Sequence, residues 1–257
     1  MVLGVSLAGN VQAAELALVI DDLGYSKTKG VRAIELPGAL TVAVLPFAPH
    51  TVFLAAHAAK HDKDVIVHQP MEPFPAKHVR HEQGTLTLGM APAELRAKFT
   101  AALDAIPTRV GVSNHTGSLL TQHRMPMQHL MSEVHARGLF FLDSRTSAQT
   151  VALNVALETG VPALKRDVFL DHERDPESIH MAFERALQVA RRQGYAVAIG
   201  HPYRITLEYL EMRLAAMPDD VRLVKAADLA QRRTRPMRPG VLAQPADLTS
   251  LHISPGR

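Results

Sequence analysis

No cysteine occurs in the 257 residues, which excludes disulfides, thiolate metal sites and cysteine nucleophiles together. Net charge is scarce as well. The 28 Lys+Arg against 25 Asp+Glu leave a formal +3, too small a surplus to imply nucleic-acid binding. Much of that surplus sits in Arg232, Arg233, Arg235 and Arg238 near the C-terminus. No stretch is long and apolar enough to span a bilayer, and no repeat of fixed period occurs. Any metal must therefore be held by His, Asp and Glu, and 14 histidines are available.

The first fifteen residues, MVLGVSLAGNVQAAE, combine an apolar stretch with small residues at Ala13 and Ala14. They resemble the end of an export signal without its basic n-region, and imply export to a periplasm or the cell surface. A buried N-terminal strand is the alternative.

From there the chain alternates apolar runs with helical patterns. Leu16–Ile20 is a continuous apolar run, as expected of a strand buried on both faces of a parallel sheet. Further strands are expected at Leu40–Leu45, Asp64–Val67, Val110–Ser113, Leu139–Leu142, about Val168–Leu170, Ala196–Ile199 and Val221–Val224. Helices are expected at Lys27–Glu35 and Thr51–Lys60, from Pro92, around Met127–Val134, before Gly160, from Asp175-Pro176 to Gly194, and at about Ile205–Ala216. Phe74–Met90 lapses from the pattern and reads as a long insertion, either a lid or a passive excursion. Beyond Gln231 the periodicity ends and disorder is expected. The organisation is then a 1–15 export remnant, one domain over 16–230 and a 231–257 tail.

Eight strands alternating with helices predict a distorted (β/α) barrel of seven to eight strands, with a doubly wound open sheet as the competitor. Polar, chemically capable residues follow six of the strands. Only a barrel brings those strand ends together on one face.

Asp21 and Asp22 end the first strand, and alternation along an extended chain predicts that they face opposite ways and do different jobs. His68 or Glu72 after the third strand and His115 after the fourth join Asp22 as candidate ligands. Carboxylate and imidazole donors without thiolate suit Zn²⁺ and related divalent ions. Asn114, Asp143, Arg145, Asp171 and His201 occupy other strand ends. His57, His61, His78, His81, His123, His129 and His135 read as surface or loop residues.

The stretches IDDLGY (Ile20–Tyr25), HQPMEP (His68–Pro73), SNHTGS (Ser113–Ser118), FLDSRTS (Phe141–Ser147), RDVFLDH (Arg166–His172) and GHP (Gly200–Pro202), in this order, resemble the divergent polysaccharide deacetylase family. These are relatives of the carbohydrate esterases that remove N-acetyl groups from chitin and peptidoglycan. The resemblance covers residues 16–230 and implies a zinc-type metal and a glycan substrate.

It further implies Asp21 as general base, Asp22 and His68 as metal ligands, and His201 as general acid. Where that family has a second histidine, this chain has Glu72. The third ligand is then Glu72 or His115, and the compact turn after His115, together with Pro73 beside Glu72, favours His115. The family's arginine-proline stretch after the fourth strand is missing, so Arg145 is expected to orient substrate instead. Asn114, Asp143 and Asp171 are expected to orient the site or bind sugar hydroxyls. The other function classes in play are a catalytically lapsed periplasmic glycan-binding or regulatory module, and a metal-dependent phosphohydrolase. The last lacks a Gly-rich phosphate loop.

Overall fold

The structure, a computed structural model, describes residues 13–75 and 82–234. Most of the export remnant, His78 and His81, and residues 235–257 of the tail lie outside these. Among the described residues no helix is long and apolar enough to cross a membrane.

The Leu16–Ile20 run is wholly buried and forms the middle of β1 (Ala14–Leu23). Both of its edges are occupied. Along Glu15–Ile20 one edge pairs with β8 (Tyr195–Gly200). Its other edge is shared, the first half taken by β9 (Val221–Val224) and the second by β2 (Thr41–Val44). Outward from β2 follow β3 (Asp64–Met71), β4 (Gly111–Thr116), β5 (Phe140–Asp143) and β6 (Ala163–Lys165), while β7 (Val168–Phe169) flanks β8. Every strand pairing is parallel. The strand order and curl are those of the expected distorted barrel. β6 was not expected, because three residues after Pro162 are too few to show a period.

The barrel has a seam between β6 and β7. No ladder joins them, but the chain itself steps across. The Arg166 N–H donates to the Asp143 carbonyl on the β5 side, and the next N–H, of Asp167, donates to the Val197 carbonyl on the β8 side, both at 2.9 Å.

Helices α1 (Lys27–Ile34), α2 (Thr51–Lys60), α3 (Pro92–Asp104), α4 (Arg124–Ala136), α5 (Ala152–Glu158), α6 (Pro176–Gln193), α7 (Arg204–Leu214) and α8 (Ala226–Thr234) follow their strands. Their apolar faces complete the core, with Phe99, Met127, Met131 and Phe183 buried. Asp175 caps α6 by accepting the Ser178 N–H at 2.9 Å, and Gly194 ends it at φ 86°, as Asp-Pro and Gly at those places dictate. α8 carries regular structure past Gln231 to Thr234, so the domain ends later than the loss of periodicity suggests.

Two strands also overrun their apolar runs. β3 continues through His68 to Met71, and β4 through Asn114 and His115 to Thr116. Polar residues are accommodated there because the strand ends face one another rather than a helix layer.

Candidate metal centre

The strand overrun sets the register that builds the site. His68 pairs with Ser113 across β3 and β4, and Pro70 with His115. A period of two puts His115 on the same face as Ser113, whose hydroxyl lies 2.8 Å from His68 Nδ1. His68 is thereby turned so that Nε2 meets His115 Nδ1 at 3.1 Å. The same extended backbone removes Glu72. Four residues along a strand is about 13 Å, against about 6 Å on a helix. Glu72 instead accepts the Leu88 N–H at 2.7 Å, and its N–H donates to the Leu86 carbonyl at 2.9 Å. It fastens the insertion to β3 and is not brought to the cluster.

Asp22 enters from β1. The pairing of β1 with β2 slips between Ile20 and Leu23, a bulge of one extra residue, and Asp22 sits there at φ 61°. Bulges of this kind re-aim side chains. The expectation that Asp21 and Asp22 face opposite ways fails for this reason: the left-handed residue breaks the alternation. Asp22 Oδ1 lies 3.0 Å from His68 Nε2 and 2.9 Å from His115 Nδ1, while Asp21 Oδ2 lies 3.6 Å from that same His68 nitrogen. The two carboxylates differ by environment instead. Burial pushes the Asp21 carboxyl above its ordinary value, against the opposing pull of His68 and His201, and its Oδ1 has no hydrogen-bond partner among the described residues. Burial also works against the Asp22 carboxylate. Hydrogen bonds from His115 and His68 outweigh it and hold Asp22 well below the usual carboxylate range.

Thr116, at φ 52°, and Arg145, at φ 49°, close β4 and β5 in the same left-handed region. Among the described residues, three of the four left-handed non-glycine residues, Asp22 included, thus stand just at or beyond strand ends on this side of the sheet. Gly117, at φ 86°, completes the turn after His115, and a Cβ there would lie 2.8 Å from Met71 Cβ.

Glu82, from the insertion, carries a feature that the sequence did not reveal. Its Oε1 lies 3.6 Å from His115 Nε2, and its carboxyl is held below its ordinary value by His115 against the cost of burial. Burial disfavours protonation of His115, yet Asp22 and Glu82 on either side outweigh it and push its pKa up to about 10. An irregular loop has no period that would have pointed to Glu82.

His201 stands on the far side of Asp22, its Nε2 3.9 Å from Asp22 Oδ2. Its Nδ1 lies 2.7 Å from Asp171 Oδ1, and Asp171 Oδ2 accepts both the His201 N–H and the Thr206 hydroxyl. Asp171, just beyond β7, therefore orients the imidazole. Asn114 and Asp143 do something else. Asn114 accepts the Ser144 N–H and donates to the Thr116 carbonyl. Asp143 accepts the Arg145 N–H and the Thr150 hydroxyl. Both are buried and tie loops together, with no atom turned to a ligand. Arg145 points into a neighbouring cleft.

Asp22, His68 and His115 each offer a ligand atom within 4.8 Å of the others, and the three atoms named above lie 2.9–3.1 Å apart. Ligand atoms sharing one tetrahedral ion at about 2.1 Å lie about 3.4 Å apart, so the donor set fits a divalent cation. The negative charge that holds a proton on His115 attracts such a cation equally. Ser113 supplies the outer hydrogen-bond partner of His68, and Glu82 faces His115 Nε2 as a charge partner. A second group, Glu35, His57 and His61, lies on the surface of α1 and α2.

The family model of divergent polysaccharide deacetylases matches residues 18–230. The chain is 38% identical over 224 residues to YibQ, an uncharacterized protein of Escherichia coli (strain K12), covering 87% of this chain and 70% of that one. Among solved structures, an uncharacterized protein, ATU2773, from Agrobacterium tumefaciens C58 superposes with a TM-score of 0.81 at 23% identity, covering 85% of this chain and 89% of the other. The peptidoglycan deacetylase PdaC from Bacillus subtilis, as its D285S mutant, superposes at 0.51 and 12% identity, over 87% and 94% of the two chains. These structural likenesses speak for the fold.

Proposed function

The chain belongs to the divergent polysaccharide deacetylase family, and on that premise we propose that it is a metal-dependent hydrolase removing N-acetyl groups from a cell-envelope polysaccharide. The observation that carries this reading is the convergence of Asp22 Oδ1, His68 Nε2 and His115 Nδ1 within 3.1 Å, flanked by Asp21 on one side and His201 on the other. Export to the periplasm is part of the proposal, supported by the small-residue stretch at Ala13-Ala14.

Asp22, His68 and His115 hold the ion, and their N/O donor set suits zinc. Such an ion, when bound, lowers the pKa of a water toward neutrality and polarises a carbonyl. Asp21 acts as the base. Its place beside the ligand set, with Oδ2 3.6 Å from His68 Nε2, and its proton affinity, raised by burial, suit a carboxylate that must take a proton from water. The hydroxide so released adds to the acetyl carbonyl, the C–N bond breaks, and acetate and a free amine are left.

His201 gives its Nε2 proton to the departing nitrogen. The Asp171 contact at Nδ1 fixes the ring so that Nε2 faces inward and offsets the positive charge beforehand. A recess of about 180 Å³ beside Asp22, lined by Tyr25 and Tyr203, has room for the acetamido-bearing part of the sugar.

Acetate release from N-acetylated glycans, measured together with bound metal, tests the reading. The intact protein is expected to bind one ion at this site and release acetate, and Asp22→Ala and His115→Ala are expected to lose both. Full metal occupancy in both variants would overturn the ligand assignment. Bound metal without turnover on any acetylated glycan would instead identify a glycan-binding module on a lapsed site.

A further inference from the structure

The seam of the barrel opens into a cleft of about 990 Å³, bounded by Arg145 at the end of β5, by Arg166 and Phe169 at the seam, and by α6. This is the upper end of the range for ligand clefts, about 300–1,000 Å³. It runs beside α6 from Met181 to Arg192, about 16 Å of helix. It does not include the Asp22 cluster, but adjoins it through one ring: Phe169 lines the cleft, and its centroid lies 5.9 Å from that of His201.

The arginines of this cleft make no contact ion pair. Arg145, Arg166, Arg185 and Arg192 line it, and none has a carboxylate within 4.0 Å among the described residues. The two acidic residues on its wall are already engaged. Asp167 accepts the Val197 N–H and faces Lys165 at 3.4 Å, and Glu184 pairs with Arg213 at 2.8 Å.

Two of the cations are also built in place. Arg166 donates to the Ser144 and Arg145 carbonyls and lies 3.6 Å over the Phe169 ring. Arg145 is held at φ 49° by the Asp143 carboxylate, which accepts its N–H at 2.8 Å. Burial, and then the neighbouring Arg145 charge, work against the Arg166 cation, with Asp143, Asp167 and Asp21 pulling the other way; an anion seated between the two arginines relieves the repulsion. Guanidinium groups match carboxylate geometry, and the apolar surface of α6 beside them, Met181 and Val189, suits the face of a sugar ring rather than a bare polyanion.

We propose that the seam cleft binds a carboxylate-bearing stretch of glycan and so selects an acidic polysaccharide. The glycan part rests on the deacetylase reading, because Phe169 links this cleft to the reacting site.

The test uses full-length protein and oligogalacturonate, which bears carboxylates and no acetyl groups. Calorimetry at about 50 mM salt compares it with a neutral chitooligosaccharide of equal length and with polyphosphate. Oligogalacturonate is expected to bind most tightly, with and without chelator, and to weaken as salt rises. Arg185→Glu with Arg192→Glu, both exposed on α6, is expected to reduce that binding about tenfold, with the circular dichroism spectrum unchanged. Unchanged binding in this variant, equal affinity for the neutral oligomer, or tighter binding of polyphosphate would each overturn the proposal. Acidic-glycan binding without acetate release from any substrate keeps the cleft and removes the deacetylase reading. Acetate release without preference for the acidic oligomer does the reverse.

Discussion

Asp171 grips His201 twice, through Nδ1 of the ring and through the backbone N–H of the same residue, both at 2.7 Å. A single carboxylate fixes the position and the orientation of the imidazole together. Replacing Asp171 with Asn keeps the backbone contact and loses the charge that stabilises a protonated His201. The expected outcome is a fall in kcat of about 10²–10⁴-fold, with bound metal unchanged when measured by elemental analysis. Loss of metal in this variant would show that His201 belongs to the ligand set instead.

Glu82 and Glu72 are predicted to separate cleanly. Glu82→Gln removes the charge behind His115 Nε2 and is expected to weaken metal affinity about tenfold. Glu72→Gln leaves metal affinity unaltered, because its carboxylate serves Leu88. Competition with a chelator reads both. The measurements belong in a background with His57 and His61 replaced by Ala, so that the surface group with Glu35 adds no second binding event.

Gly24 follows the Asp pair at φ 140°, and a Cβ there would lie 2.5 Å from Ala48 Cβ. Neither atom ends a flexible side chain. Gly24→Ala is expected to cost about 1–3 kcal/mol, read as a lower midpoint in urea denaturation, and to lower metal affinity through the displaced Asp22.

Asp143 gives the pH dependence of stability a defined sign. Burial raises its folded-state pKa, against the hydrogen bonds from Arg145 and Thr150. The folded chain therefore keeps a proton that the unfolded chain has released. Its contribution to stability falls as pH rises from the unfolded value of about 3.8 through the folded value, and is level above it. Asp143→Asn is expected to remove this fall, so that urea midpoints measured from about pH 4 to pH 7 converge with or overtake those of the parent as pH rises. A steeper fall in the variant would contradict it.

The order of strands and helices was legible because buried parallel strands and amphipathic helices have clear periods, as Leu16–Ile20 and the Leu95, Phe99, Leu103 face of α3 illustrate. Ligand positions were legible only as residue types at strand ends. What separates His115 from Glu72 is whether the backbone beyond His68 is extended or helical, and Pro70 and Pro73 already count against the helical turn. The bulge at Asp22 and the reach of Glu82 depend on tertiary register, which leaves no local pattern. Asn114 and Asp143 look like site residues in one dimension and serve as loop ties in three.

An incompletely closed sheet has two raw edges, and each is a template on which another chain can polymerise. Here the edge strands at the seam have three residues and two, with Lys165 at the end of the first. Arg166 and Asp167 spend their own N–H groups on the two strands next inward. Neither edge at the seam offers a run long enough to nucleate fibril growth, so the gap between β6 and β7 carries little of the hazard that open sheet edges bring.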